Sequence, residues 1–215
     1  MINFYLKAKH WQLFILMLGI PLIYQLFIVS QLFGPQTHPS PISESGTGVT
    51  EVLNDNIFYF DFFPYIMILY VIMFFDWFWS IAIGLQKNIP SEIKMKVEKF
   101  KILFFIPLIY IISIMLLMAG LFSGTEINSF SLIGWPLYII VLLHLFSMFC
   151  IFYSMYFVAK TIKTAEFKRK VDFGDFAGEF FLLWFYFIGV WIIQPKVNKL
   201  YKDENTAINN SQTHQ

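Results

Sequence analysis

The sequence predicts an all-α integral membrane protein: four transmembrane helices plus a short fifth hydrophobic helix, partly inserted or spanning. Three observations predict it. Of 215 residues, 58% are hydrophobic and only 13% charged, which is too apolar for a soluble domain of this length. Four stretches reach the roughly 20 mostly apolar residues that a helix needs to cross about 30 Å of hydrocarbon. The lysines, finally, crowd into alternate connections. In lipid the backbone must satisfy its own hydrogen bonds, and the alternating short strands of a closed barrel are missing, so each stretch should be a helix.

The first span covers 11–33, behind Lys7 and Lys9. It is longer than the core of a cleavable signal, and "GPQTHPSP" after it has no small-x-small cleavage pattern, so it should remain as an anchor. Pro21 lies inside it and predicts a kink. Residues 34–61, rich in Pro, Ser, Gly and Thr, predict a flexible outer loop acting as a tether. The second span, 62–85, has Pro64 in its first turn, where the missing N–H costs nothing. It also contains "FFDWFWSIAIG", with Asp76 in the middle of the apolar run.

The connection "QKNIPSEIKMKVEKFK" puts Ile93, Val97 and Phe100 on one helical face among lysines, which predicts an amphipathic segment lying on the anionic inner leaflet. The third span, 102–122, carries Pro107 internally and no charge; the fourth, 133–159, has Pro136 in its first turn. Cys150 in that span excludes an intramolecular disulfide and reads as packing filler. The fifth segment, 176–194, holds the uncharged run "FFLLWFYFIGVWII" and is closed by Gln194 and Pro195. As a helix those fourteen residues reach about 21 Å, short of a full crossing; a start at Phe176 with Glu179 at the interface would give just enough length, but a segment that dips in and returns, or lies against the bundle at the inner leaflet, is favoured. The membrane domain then spans 1–195, and 196–215 is a polar tail.

Charge sets the expected orientation. Lys7 and Lys9, the lysines at 87, 94, 96, 99 and 101, and Lys160, Lys163, Lys168, Arg169 and Lys170 fall on one side. The opposite connections carry Glu44, Glu51, Asp55, Asp61 and Glu126 and no basic residue. The positive-inside rule therefore predicts a cytoplasmic amino terminus. Abundant Phe, Ile, Lys and Asn with a single arginine suggest an AT-rich bacterial genome, hence the bacterial inner membrane.

A carboxylate in lipid is costly and is read as a functional-site candidate with a partner to be named. Counted from Pro64 and Pro136, Asp76 and His144 differ in level by about 6 Å, within side-chain reach on neighbouring helices. Ser147 and Ser154 project near His144, and Ser80 and Gly84 share the face of Asp76 as a small-x-x-x-small pattern. An Asp76/His144 pair would be a proton-responsive couple or an interhelical hydrogen bond that fixes packing. At the inner edge Asp172, Asp175 and Glu179 follow i, i+3, i+7 and could offer oxygens to a divalent ion. The simpler reading makes Asp175 a helix cap, pairs Asp172 with "KRK" and places Glu179 at the interface.

The chain has no phosphate-binding glycine loop, H-E-x-x-H, nucleophile elbow or paired cysteines. The expectation is a non-enzymatic accessory or scaffold subunit of a membrane assembly, with no catalytic residue, metal or cofactor. Its partners would be the lipid bilayer and a membrane protein or second copy of itself, not nucleic acid. The alternative is ion- or proton-coupled transport through Asp76 and His144; a lipid-modifying enzyme using the inner-edge carboxylates ranks third.

Overall fold

The computed structural model describes residues 2–33, 62–120 and 134–213, and every regular element among them is helical. The loop at 34–61 and the connection with Glu126 lie outside the described residues. Four helices are long and apolar enough to cross a membrane: His10–Ser30, Phe63–Asn88, Val97–Leu117 and Leu137–Phe167.

The amino-terminal segment is built in pieces. Helix α1 (Ile2–Lys7) breaks at Ala8 and Lys9; α2 (His10–Phe14) runs into a π-turn at Ile15–Gly19 and then α3 (Ile20–Phe33). Pro21 has no N–H to donate to the carbonyl four residues back, and just before it the Ile20 N–H reaches five residues back to Ile15. The kink expected at Pro21 thus takes the form of a widened turn immediately upstream. α1 packs along α4 (Phe63–Gly84), which starts with Pro64 in its first turn and tightens into a 3₁₀ turn at Leu85–Asn88.

Helix α5 (Val97–Met118) starts five residues before the expected 102, and this corrects the reading of "SEIKMKVEKFK" as a surface helix. Ser91 to Ile93 form a turn, Lys94 to Lys96 are not helical, and Val97 onward belongs to the long helix. Phe100 supplies the reason. It is fully buried, stacked on Phe157 at 4.5 Å and facing Trp79 at 6.1 Å, a packing that a helix lying flat on a leaflet would forfeit.

Helix α6 (Trp135–Phe167) has 33 residues, about 50 Å, and continues past 159 because Ile162 and Ala165 still find core contacts. Thr161 and Thr164 are also buried there, their hydroxyls donating to the carbonyls of Phe157 and Lys160. Gly134, at φ +103°, leads into α6 in a conformation suited to glycine. Lys168 ends it at φ 53°, a left-handed cap that is uncommon for a side-chain-bearing residue. Its ammonium donates to the carbonyl of Asn88, tying the end of α6 to the end of α4.

The fifth segment is not the single short helix expected, though its return matches the dip-and-return form weighed for it. It is two helices, α7 (Phe173–Trp184) and α8 (Tyr186–Thr213), with a reversal at Phe185. The apex rests on α4, where the Tyr186 ring meets Tyr70 at 6.1 Å and Phe74 at 5.4 Å. Further along, the Leu200 carbonyl accepts from Asn88, and Lys7 lies over Tyr201. Both legs therefore open toward the lysine-rich end of the bundle, and the apex stands about 21–27 Å up α4 from Asn88. Gly189 makes the reversal feasible: a Cβ there would lie 1.8 Å from the Leu182 carbonyl oxygen. The boundary expected at Pro195 is absent, since α8 carries the proline internally and runs on through the tail.

Candidate functional site

The polar residues of the interior sort into three groups. Asp76 is half-buried on α4, the helix that packs along α1. Its Oδ2 is buried without a hydrogen-bond partner. Ser80, one turn further on, is buried. His144 lies elsewhere. It is exposed on α6, and among the described residues its polar contact is the Tyr110 hydroxyl of α5, 3.5 Å from Nδ1, the limit of hydrogen-bond distance. No hydrogen bond or ion pair joins Asp76 to His144 among the described residues. Counting residues along the helices could not say which way each side chain faces. Ser147 and Ser154 are buried, with Ser154 donating to the Cys150 carbonyl, so the serines look inward while His144 looks out.

The second group centres on Gln194, fully buried on α8. Its Oε1 accepts from the indole of Trp77 at 2.9 Å; its Nε2 donates to the carbonyls of Tyr5 at 2.6 Å and Ala8 at 3.0 Å, and to Asn198 at 2.9 Å. Asn198 adds a second bond to Ala8. The break after α1 leaves carbonyls without helical partners, and the returning leg of the hairpin caps them. The sequence held a signal for this, since a tryptophan inside an apolar run must find an acceptor when buried.

The third group is a ring of four charges joining α6, α7 and α8. Lys163 meets Glu166 at 3.1 Å and Glu179 at 3.0 Å; Lys196 meets Glu166 at 2.9 Å and Glu179 at 2.8 Å. All four side chains are at most 30% exposed, so the pairs are only partly screened. Glu179 thus belongs to an ion-pair ring, and the three inner-edge carboxylates diverge. Asp172 caps α7 in a reciprocal capping box with Asp175, reversing the cap expected from sequence. Asp175 pairs with Arg169 at 3.1 Å. The Asp172 backbone N–H, and then the Arg169 guanidinium, hold the Asp175 carboxyl below its usual range. Among the described residues no group of three or more His, Cys, Asp or Glu side chains is placed to hold a metal ion.

Among the described residues these features define an all-helical bundle with four helices long and apolar enough to cross a membrane, and a helical hairpin locked into one end of it. No protein-family model, curated protein or solved structure matches it.

Proposed function

We propose that the chain is a small multi-pass membrane protein that acts without catalysis, as an accessory or scaffold subunit of a membrane assembly. One observation carries this reading. Along the half of α6 away from the lysines, Tyr138, Leu142, Leu145 and Phe149 are 58% to 77% exposed, and His144 is exposed among them. Lipid satisfies the apolar side chains, but an imidazole facing hydrocarbon is unfavourable, and ionisable residues inside spans ordinarily face a protein interior. A second membrane polypeptide packed on this face would supply that interior. The lysine-rich end would face the cytoplasm, in a bacterial inner membrane, with the α7–α8 hairpin entering and leaving from that side.

The test is photocrosslinking in native membranes. A photoreactive residue at Leu142 should join the chain to one reproducible polypeptide, and one at the buried Phe104 should not. Adducts to lipid alone, with the solubilised protein running as a single 25.4 kDa chain, would refute the proposal.

The unpartnered Oδ2 of Asp76 favours ion- or proton-coupled transport as a second reading. Asp76 would then act without His144. Asp76→Asn should abolish function in a protein that still inserts and assembles, and His144→Gln should leave transport intact. If Asp76→Asn is silent, this reading fails.

A further inference from the structure

We infer that the groove between the start of α5 and the inner half of α6 is a binding site for the phosphate headgroup of an anionic phospholipid. The inference rests on the membrane reading above and adds a site to it. The Lys99 ammonium lies 5.3 Å over the ring of Tyr153, and that of Lys160 lies 5.9 Å over Tyr156. The two tyrosine rings are stacked with centroids 6.4 Å apart, and Tyr156 also lies against Phe173 of α7 at 6.5 Å, so both lysines stand over one aromatic cluster. Neither has a carboxylate within ion-pair distance among the described residues, whereas nearby Lys101 pairs with Glu98 and Lys163 pairs with Glu166 and Glu179.

Placement favours an anion beside them, although Lys99 is itself exposed. Lys99 sits in the first turn of α5, where the helix dipole disfavours a cation, and Lys160 is half-buried. An anion between them would relieve both.

The surface beyond them identifies an amphiphile. On α5, Ile102 and Ile109 continue the face of Lys99 at i+3 and i+10 and are 66% and 62% exposed. On α6, Phe149 and Leu142 lie one and two heptads back from Tyr156 and are 63% and 69% exposed. Two apolar tracks therefore run away from the two lysines, as acyl chains run from a headgroup. The tyrosines sit at the junction, the depth that such amphipathic rings favour.

The experiment counts retained lipid by native mass spectrometry on full-length protein transferred from nanodiscs containing phosphatidylglycerol or phosphatidylcholine. The variants are Lys99→Gln/Lys160→Gln and, with the same loss of charge, Lys94→Gln/Lys170→Gln. The first should lose about tenfold of the phosphatidylglycerol retained and the second less than about twofold, with phosphatidylcholine unchanged throughout. Lys99→Arg/Lys160→Arg should retain lipid, which excludes misfolding as the cause. Equal losses in both Gln doubles would overturn the site, because diffuse charge would then hold the lipid. Displacement by millimolar inorganic phosphate would overturn the phospholipid assignment in favour of a soluble phosphate. A chain that fails to enter nanodiscs would refute the membrane reading, whereas one that enters and shows no headgroup preference would refute only this inference.

Discussion

Gln194 ends an apolar run, a position where a polar residue is ordinarily read as the exit into water, yet it is fully buried with partners on three helices. Replacing it should leave the Trp77 indole and the Tyr5 carbonyl unpaired in a dry interior, at about 1–3 kcal/mol for each group. Gln194→Leu is expected to destabilise the protein by about 2 kcal/mol or more in detergent unfolding followed by circular dichroism, and Trp77→Phe, which removes one donor, by less. A Gln194→Leu protein as stable as the parent would show that these bonds do not hold α1. Gly189 offers a sharper case. A methyl group would meet backbone rather than a movable side chain, so Gly189→Ala should cost about 3 kcal/mol or more in the same detergent unfolding. Unchanged stability would contradict the close approach. Neither role was legible beforehand, because a residue's identity does not reveal which helix will face it.

At the scale of elements, the charge ring and the cap act on the same hairpin. The ring joins the end of α6 to both legs, and each lysine touches both glutamates. Removing one member leaves charges half-buried, so Lys196→Gln and Glu179→Gln should each destabilise by about 1–3 kcal/mol, below the range for a fully buried pair. The double variant should cost less than the sum, with a coupling of about 1 kcal/mol in a double-mutant cycle. Strict additivity would mean that the ion pair contributes nothing. Asp175 adds a pH dependence at the start of α7. Its folded carboxyl is held below the ordinary value, so its contribution is present above the unfolded value and is lost as pH falls through the lower, folded one. Amide exchange at Gly174 to Phe176 should therefore quicken relative to the rest of α7 only at acid pH below the ordinary carboxylate range. Fraying that begins near neutrality would point to another group. From the sequence, the i, i+3, i+7 carboxylates were visible as one face; that Glu179 pairs with Lys196, seventeen residues on, depended on the reversal at Phe185.

For the whole molecule, the hairpin decides where the carboxyl-terminal helix emerges. With both legs opening toward the lysine-rich end, a cysteine at Asn205 should be labelled from the same side as one at Lys96 or Lys168, and one at Ser45 from the other. The native Cys150 is fully buried and should contribute little background. Labelling of Asn205 together with Ser45 would mean that the fifth segment crosses, and labelling of Lys96 from outside intact cells would reverse the proposed orientation.

Composition and spacing by themselves determined the helical class, the four long apolar helices and the first-turn prolines, because each depends on a local quantity: length, hydropathy or a missing N–H. They also gave the uncharged run of the fifth segment as fourteen residues, about 21 Å as a helix against a core of about 30 Å. Only the tertiary structure decided which form this segment takes, that Asp76 is half-buried while His144 faces outward, and that the break after α1 is capped by Gln194. Those outcomes turn on which helix is whose neighbour. The reason is geometric: in an apolar span nearly every face is hydrophobic, so periodicity cannot say which face points inward, and only the packed partners break the symmetry.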